Sequence, residues 1–389
     1  MKLFKSLLVA PATLGLLAPI SVSANEVNLN DISNYSDVDS FEFANSFEKE
    51  ESTQSTLIAG GEGLVDSYDG SFSTTTSASF GADFVIGAVD GAGAGADATT
   101  FDYQYGMTLS TSFTGEDSLD LVIETGGGAS GSATTSASIL DMNAMGDTMT
   151  LDGITYTFPL GDALTVMVGD STDVSALYST ACTYSAFTDL LSNCGSGTAA
   201  GLGGGSAFSG SPSSATAAAS YDFGNGLTVA GGFSSAGGSS VGLLTNESKD
   251  VYGAQVAYNT DSLGVSLSYA LTETTDTDET AFVGVNAYYS LDGGPSLSVG
   301  FESEDPDGAD EETGYFIGLT WDEFGPGSFS IGMSTLENYT DAETELYQYE
   351  AAYTYGVNDY MSITPGVFIT EVDGADDQTG VILKTSFSF

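Results

Sequence analysis

Apolar residues recur at every second position through most of this chain. Leu263, Val265, Leu267, Tyr269 and Leu271 fall on one face of an extended segment, with Ser266 and Ser268 on the other. Leu297, Val299 and Phe301 repeat the pattern, as do Tyr315, Ile317, Leu319 and Trp321, and then Phe329, Ile331 and Met333. A period of two marks a strand with unlike faces, because successive side chains leave the pleat on opposite sides. The stretch Thr379–Phe389 holds it too: Val381, Leu383, Phe387 and Phe389 against Gly380, Lys384, Ser386 and Ser388. Such a strand is long enough to cross a bilayer at a tilt.

Between the periodic stretches lie two kinds of connection. The short ones are Gly115–Asp117, Gly161–Asp162, Gly224–Gly226, Asn259–Asp261, Asp292–Pro295, Asp322–Gly327 and Gly356–Asp359. Each is a tight-turn composition flanked by alternating apolar residues. The long ones are Asp90–Ala98, Gly126–Asp147, Ser171–Ser214, Ser234–Asp250, Thr272–Thr280, Ser303–Glu312, Leu336–Glu345 and Glu371–Gln378, rich in Gly, Ser and acids. The two kinds alternate strictly, as they do where one rim of a closed sheet faces the periplasm and the other faces outside. The expected fold is all-β: a transmembrane antiparallel barrel of about sixteen strands, wide enough to hold a water-filled lumen. A soluble sandwich would bury the same apolar stripes in a core. The leader described next, the terminal aromatic and the loop asymmetry favour lipid. Tyr221, Phe223, Tyr258, Tyr288, Tyr289, Trp321, Phe324, Tyr353, Tyr355 and Tyr360 sit beside short turns, where an interfacial girdle belongs.

Residues 1–24 read as a secretory signal: Lys2 and Lys5, an apolar stretch Leu7–Ile20, then Val22-Ser23-Ala24 before the cut. Residues 25–57 are polar and acidic without alternation, and are expected to form a flexible periplasmic arm. Residues 58–389 are assigned to the barrel. Beyond Ala24 no run of eighteen apolar residues occurs, so helical spanning is not expected. These features place the protein in the bacterial outer membrane. Phe387 and Phe389 are expected to form the signal read by the barrel-assembly machinery.

Charge sharpens the reading. The 389 residues hold 54 acids against 5 Lys plus Arg, a formal charge of −49. Removing the 24-residue leader, with its two lysines and no acid, leaves 389 − 24 = 365 residues and −51. Such a surface repels nucleic acid and anionic headgroups. With no His and no Arg, His-based nucleophile systems, His-ligated zinc and arginine clamps are excluded. No carboxylate pair stands out, so no catalytic residues are assigned and an enzyme is not expected. The outer segment Glu304–Glu312 lacks the ligand spacing of a calcium loop, and neither a metal site nor a cofactor is expected.

Candidate functional residues come from the longest loop and from parity. Ser171–Ser214, the third long connection, contains Cys182 and Cys194, which are expected to pair in an exported chain. Its Leu177, Tyr178, Tyr184, Phe187, Leu190, Leu191 and Phe208 suit a loop that packs, so it is expected to fold into the barrel and narrow it. Asp189 in that loop is assigned to the constriction. Asp83, Asp102, Asp120, Glu124, Asp222 and Glu350 each alternate with apolar or aromatic neighbours and should point into the lumen, with Lys384 as a cation among them. A passive, cation-preferring channel for small polar solutes follows. The rival readings are a plugged surface barrel with structural or adhesive loops, and a secreted acidic β-sheet binding protein.

Particular blocks add a resemblance. Ser73–Ala88, Thr99–Leu119 and Tyr156–Val166 resemble cyanobacterial outer-membrane porins, the Som-type relatives of the carbohydrate-selective OprB porins often labelled iron-uptake porins. Ser112–Gly115 and Phe158–Gly161 carry the similarity most specifically, and Leu57–Gly63 resembles the lead-in of marine members. The resemblance implies a sixteen-strand barrel, a homotrimer, and passage of small hydrophilic solutes and inorganic ions, iron or sugars among them. Family members carry an S-layer-homology domain before the barrel; residues 25–57 are too short for one and lack its pattern.

Overall fold

The computed structural model describes residues 75–91, 98–127, 139–140, 142, 146–179, 181–188, 194, 214–236, 242–243, 245, 249–273, 279–336 and 344–389. The leader 1–24, the arm 25–57 and the lead-in to residue 74 lie outside them. Sixteen strands form a single closed sheet. The first five are β1 (Thr76–Asp90), β2 (Thr100–Thr111), β3 (Ser118–Gly126), β4 (Thr150–Leu160) and β5 (Leu164–Asp170). Then come β6 (Ser214–Asp222), β7 (Leu227–Ala236), β8 (Asp250–Asn259), β9 (Leu263–Glu273), β10 (Glu279–Ser290) and β11 (Ser296–Pro306). The circuit ends with β12 (Glu312–Phe324), β13 (Gly327–Thr335), β14 (Tyr347–Asn358), β15 (Met361–Thr370) and β16 (Gln378–Ser388). Every neighbour pair is antiparallel and short and long connections alternate, though strands run into the expected connections as far as Pro306, Phe324 and Asn358.

Closure runs through β1 and β16, in register from Gly81 opposite Ser388 to Asp90 opposite Thr379. Phe80 and Phe389 extend the seam by exchanging backbone N–H···O bonds of 2.8 and 3.0 Å, and their rings stack at 5.4 Å. A closed sheet leaves no unpaired edge, which is what a strand protein in hydrocarbon requires.

The expected stripes lie outside. Val265, Leu267 and Tyr269 are exposed, while Ser266 and Ser268 between them are 1% and 0% exposed. Val299, Phe301, Ile317 and Ile331 share the outer face. Beside the short turns, rings touch in groups: Trp321, Phe324, Phe329 and Tyr353 in one, Phe113, Tyr156 and Phe158 in another. Tyr288 departs from that girdle. It shares the inward parity of fully buried Asn286, lies over Gly264, and its hydroxyl donates to the Thr260 carbonyl.

The interior is less uniformly polar than the stripes suggest. Val85, Val89, Val251, Phe282, Phe316, Phe368 and Ile382 all point inward and are buried. Water-lined walls would leave them wet; each is instead covered by a loop segment that enters the barrel.

Candidate functional site: the lumen and its inward loop

The connection between β5 and β6, termed L3, leaves the rim after Asp170 and turns into the barrel. A single 3-10 turn, Val174–Leu177, starts the descent. Val174 packs on inward Val251, Ala270 and Phe282 of β8–β10. From there L3 crosses the inner wall strand by strand. The Ser179 N–H donates to Gln255 Oε1 of β8 (2.7 Å), and Asn259 Nδ2 donates to the Ser179 carbonyl (3.0 Å). The Ala181 N–H reaches Ser266 Oγ of β9 at 3.3 Å, and the Thr183 N–H reaches Ser298 Oγ of β11 at 3.1 Å. A loop buried in this way must find partners for its backbone groups, and small hydroxyl and amide side chains of the wall supply them.

Cys182 and Cys194 are joined in a disulfide, with Cα atoms 6.2 Å apart and a sequence separation of 12. The bridge lies with Tyr184 against Phe316 of β12, and the Asn286 side chain of β10 donates to the Cys194 carbonyl. The segment between the cysteines carries the far end of the track. Here Glu350 of β14, 3% exposed, accepts four hydrogen bonds: from Tyr184 Oη (2.9 Å), the Phe187 N–H (2.7 Å), the Thr188 N–H (2.8 Å) and Thr188 Oγ1 (2.6 Å). Burial, and then the nearby carboxylate, push the Tyr184 hydroxyl above its usual titration range.

Three wall glycines receive the loop's rings. A Cβ at Gly253 would overlap Tyr178, one at Gly318 would overlap Tyr184, and one at Gly366 would overlap Phe187. At Gly106 of β2 the same added atom would meet nothing within 4 Å. The described residues of L3 therefore touch the wall from β6 to β15, and none of the described residues would meet a Cβ at Gly106.

Most of the acids picked out by parity lie on β1–β3, where Asp83, Asp102 and Asp120 are half-buried and Glu124 is buried. Asp102 sits opposite inward Val85 in register, Asp83 opposite Gln104, Asp120 opposite Ser110, and Glu124 opposite Gly106. Gln104 Nε2 donates to Asp83 (2.7 Å), Ser118 Oγ to Asp120 (2.7 Å), and the Tyr103 N–H to Asp102 (3.0 Å). Lys384 of β16 is opposite Val85 and Thr364, also inward. Asp222 is exposed at the short-turn rim, where it accepts the Gly224 N–H (2.7 Å) and shapes the turn. Glu350 points inward as its parity requires but lies beneath L3. Phe387 and Phe389 belong to the outer face, packed on Phe84 and Phe80. Asp189 lies outside the described residues. Among the described residues no group of carboxylates is arranged to hold a metal ion.

The wall anchors Gln255, Ser266, Asn286 and Ser298 carry no motif, and only the polar parity of β8–β11 hints at them. Phe316, set between outward Tyr315 and Ile317, breaks the alternation, and that break was the available sign of a dry patch inside.

A closed antiparallel barrel with an apolar exterior, a ring-rich rim and a loop latched within its lumen is the architecture of a channel-forming outer-membrane protein. A family model for Gram-negative porins matches residues 64–374, and the chain belongs to that family of bacterial outer-membrane channel proteins, which are not enzymes. Solved structures agree at the level of fold. A structure titled "Asymmetric conductivity of engineered proteins" superposes with a TM-score of 0.54 at 12% identity, covering 81% of this chain and all of the other. Two mutants of the Rhodopseudomonas blastica porin give TM-scores of 0.53 and 0.51 at 13% and 12% identity, again over 81% and 100%. No curated protein matches the sequence.

Proposed function

We propose that this porin is a cation-preferring channel for passive diffusion of small hydrophilic solutes and inorganic ions. The reading is supported by the inward parity of the half-buried Asp83, Asp102 and Asp120 on one acidic arc of wall, β1–β3. Solutes small enough to pass L3 move along that arc, where fixed carboxylates raise the local concentration of cations and lower that of anions. Lys384 on β16 moderates the field at its edge. The acidic outer loops extend the field to the mouth.

The finer assignments belong to the same reading. The blocks resembling Som-type and OprB-like porins suggest a cyanobacterial origin, a homotrimer, and iron or sugars among the solutes. Residues 1–24 are removed on export, 25–57 form a periplasmic arm, and Phe387 and Phe389 present the assembly signal. The partners are outer-membrane lipid, the assembly machinery and the permeating ions.

The test is the reversal potential of the purified protein in a planar bilayer under a salt gradient. Wild type should show cation preference, and Asp83→Asn with Asp102→Asn and Asp120→Asn should reduce the permeability ratio severalfold. Anion preference in the wild type would overturn the proposal.

A further inference from the structure

Three described residues of the connection between β3 and β4, termed L2, also lie inside the barrel. Its Ile139, Leu140 and Met142 are 1%, 5% and 4% exposed. They belong to one apolar cluster with Val85 and Val89 of β1, Ala352 of β14, Phe368 of β15, Ile382 of β16, and Phe187 of L3. The wall members are the inward residues of the seam, where a channel lining would ordinarily be polar. The N–H of Phe187 itself and that of Thr188 after it also donate to Glu350. Two connections from the same rim of the barrel thus meet over the closing strands, and the tip of one is held partly by the other.

We propose that L2 is a positioning element of the constriction: Ile139, Leu140 and Met142 form an apolar keystone that fixes the tip of L3 through Phe187 and keeps water off the seam side of the lumen. Burial of these side chains against the wall supplies the attraction, since apolar surface removed from water favours the docked state. The hydrogen bonds to Glu350 fix where the tip sits; the keystone fixes how firmly. Solutes are then confined to the acidic arc, and residues that touch no solute set the effective width of the passage.

The experiment is single-channel recording of the full-length protein carrying Ile139→Ser, Leu140→Ser and Met142→Ser together, beside Phe187→Ala and the combination of all four. If the keystone acts through Phe187, the triple variant and Phe187→Ala should each raise mean conductance about twofold and add flicker. The combination should then add little beyond either alone. Leu140→Met should restore wild-type behaviour where Leu140→Ser alone does not. Leu140→Ser replaces the triple variant in the same comparison if the triple fails to assemble, as judged by its heat-modifiable mobility on gels. Unchanged conductance, or fully additive effects, would overturn the keystone. The inference rests on the protein being a channel but not on its charge preference. A wild-type channel found to prefer anions would remove the cation proposal and leave this comparison intact.

Discussion

Asp117 sits at the tight connection between β2 and β3, where five donors converge on one carboxylate. Ser112 Oγ, the Phe113 and Thr114 N–H groups and Thr114 Oγ1 reach Oδ1 at 2.7–2.9 Å, and Tyr156 Oη reaches Oδ2 at 2.7 Å. Burial alone would raise its pKa. The Thr114 N–H, the Tyr156 hydroxyl and the Thr114 and Ser112 hydroxyls outweigh burial and hold it well below the usual carboxylate range. A depressed folded pKa gives stability that is complete above the unfolded value, about 3.9, and is lost as pH falls below it. Asp117→Asn should therefore lower the apparent melting temperature in detergent by a few degrees at pH 7. The gap to wild type should narrow in acid, below about pH 4. A gap of constant size down to pH 2 would contradict the assignment. Glu350 uses the same chemistry for another purpose. Its four donors all come from L3, so the carboxylate positions a loop rather than closing a turn.

At the scale of elements, L3 and the wall are complementary through missing atoms as much as through bonds. The Phe187 ring lies where a Gly366 side chain would be. Gly366→Leu should displace the L3 tip, at a cost of about 1–3 kcal/mol for overpacking. The readouts are a lower melting temperature and altered conductance. Gly106→Ala, where an added Cβ meets none of the described residues within 4 Å, is the control and should change neither. Strands, their faces and the two classes of connection were legible in the sequence because period two and turn composition are local properties. The route of L3 was not, because its anchors, such as Ser298 for Thr183, lie 76 to 166 residues away and most are ordinary polar residues. The seam-side cluster was hidden for a related reason. Val85 and Ile382 are inward and apolar on strands whose outward residues are apolar too, so alternation fades where loops cover the wall.

For the whole molecule, the question is whether selection comes from a few wall contacts or from the field of a chain with formal charge −49. The two differ in their response to salt. Fixed charges act over a screening length of about 10 Å at 0.1 M and about 3 Å at 1 M ionic strength. Acids at the mouth and along the arc can act together only while that length is comparable to their spacing. A permeability ratio measured across the same tenfold gradient should therefore fall markedly when both sides are raised in concentration. It should fall most in wild type and less once Asp83, Asp102 and Asp120 are neutralised, because the wall charges are part of what is being screened. Selection by direct coordination at one narrow point would keep its ratio, since an ion in contact with a carboxylate is screened little. A salt-independent ratio would thus move selectivity from the collective field to a single ring of contacts, and would direct attention to the L3 tip instead of the acids on β1–β3.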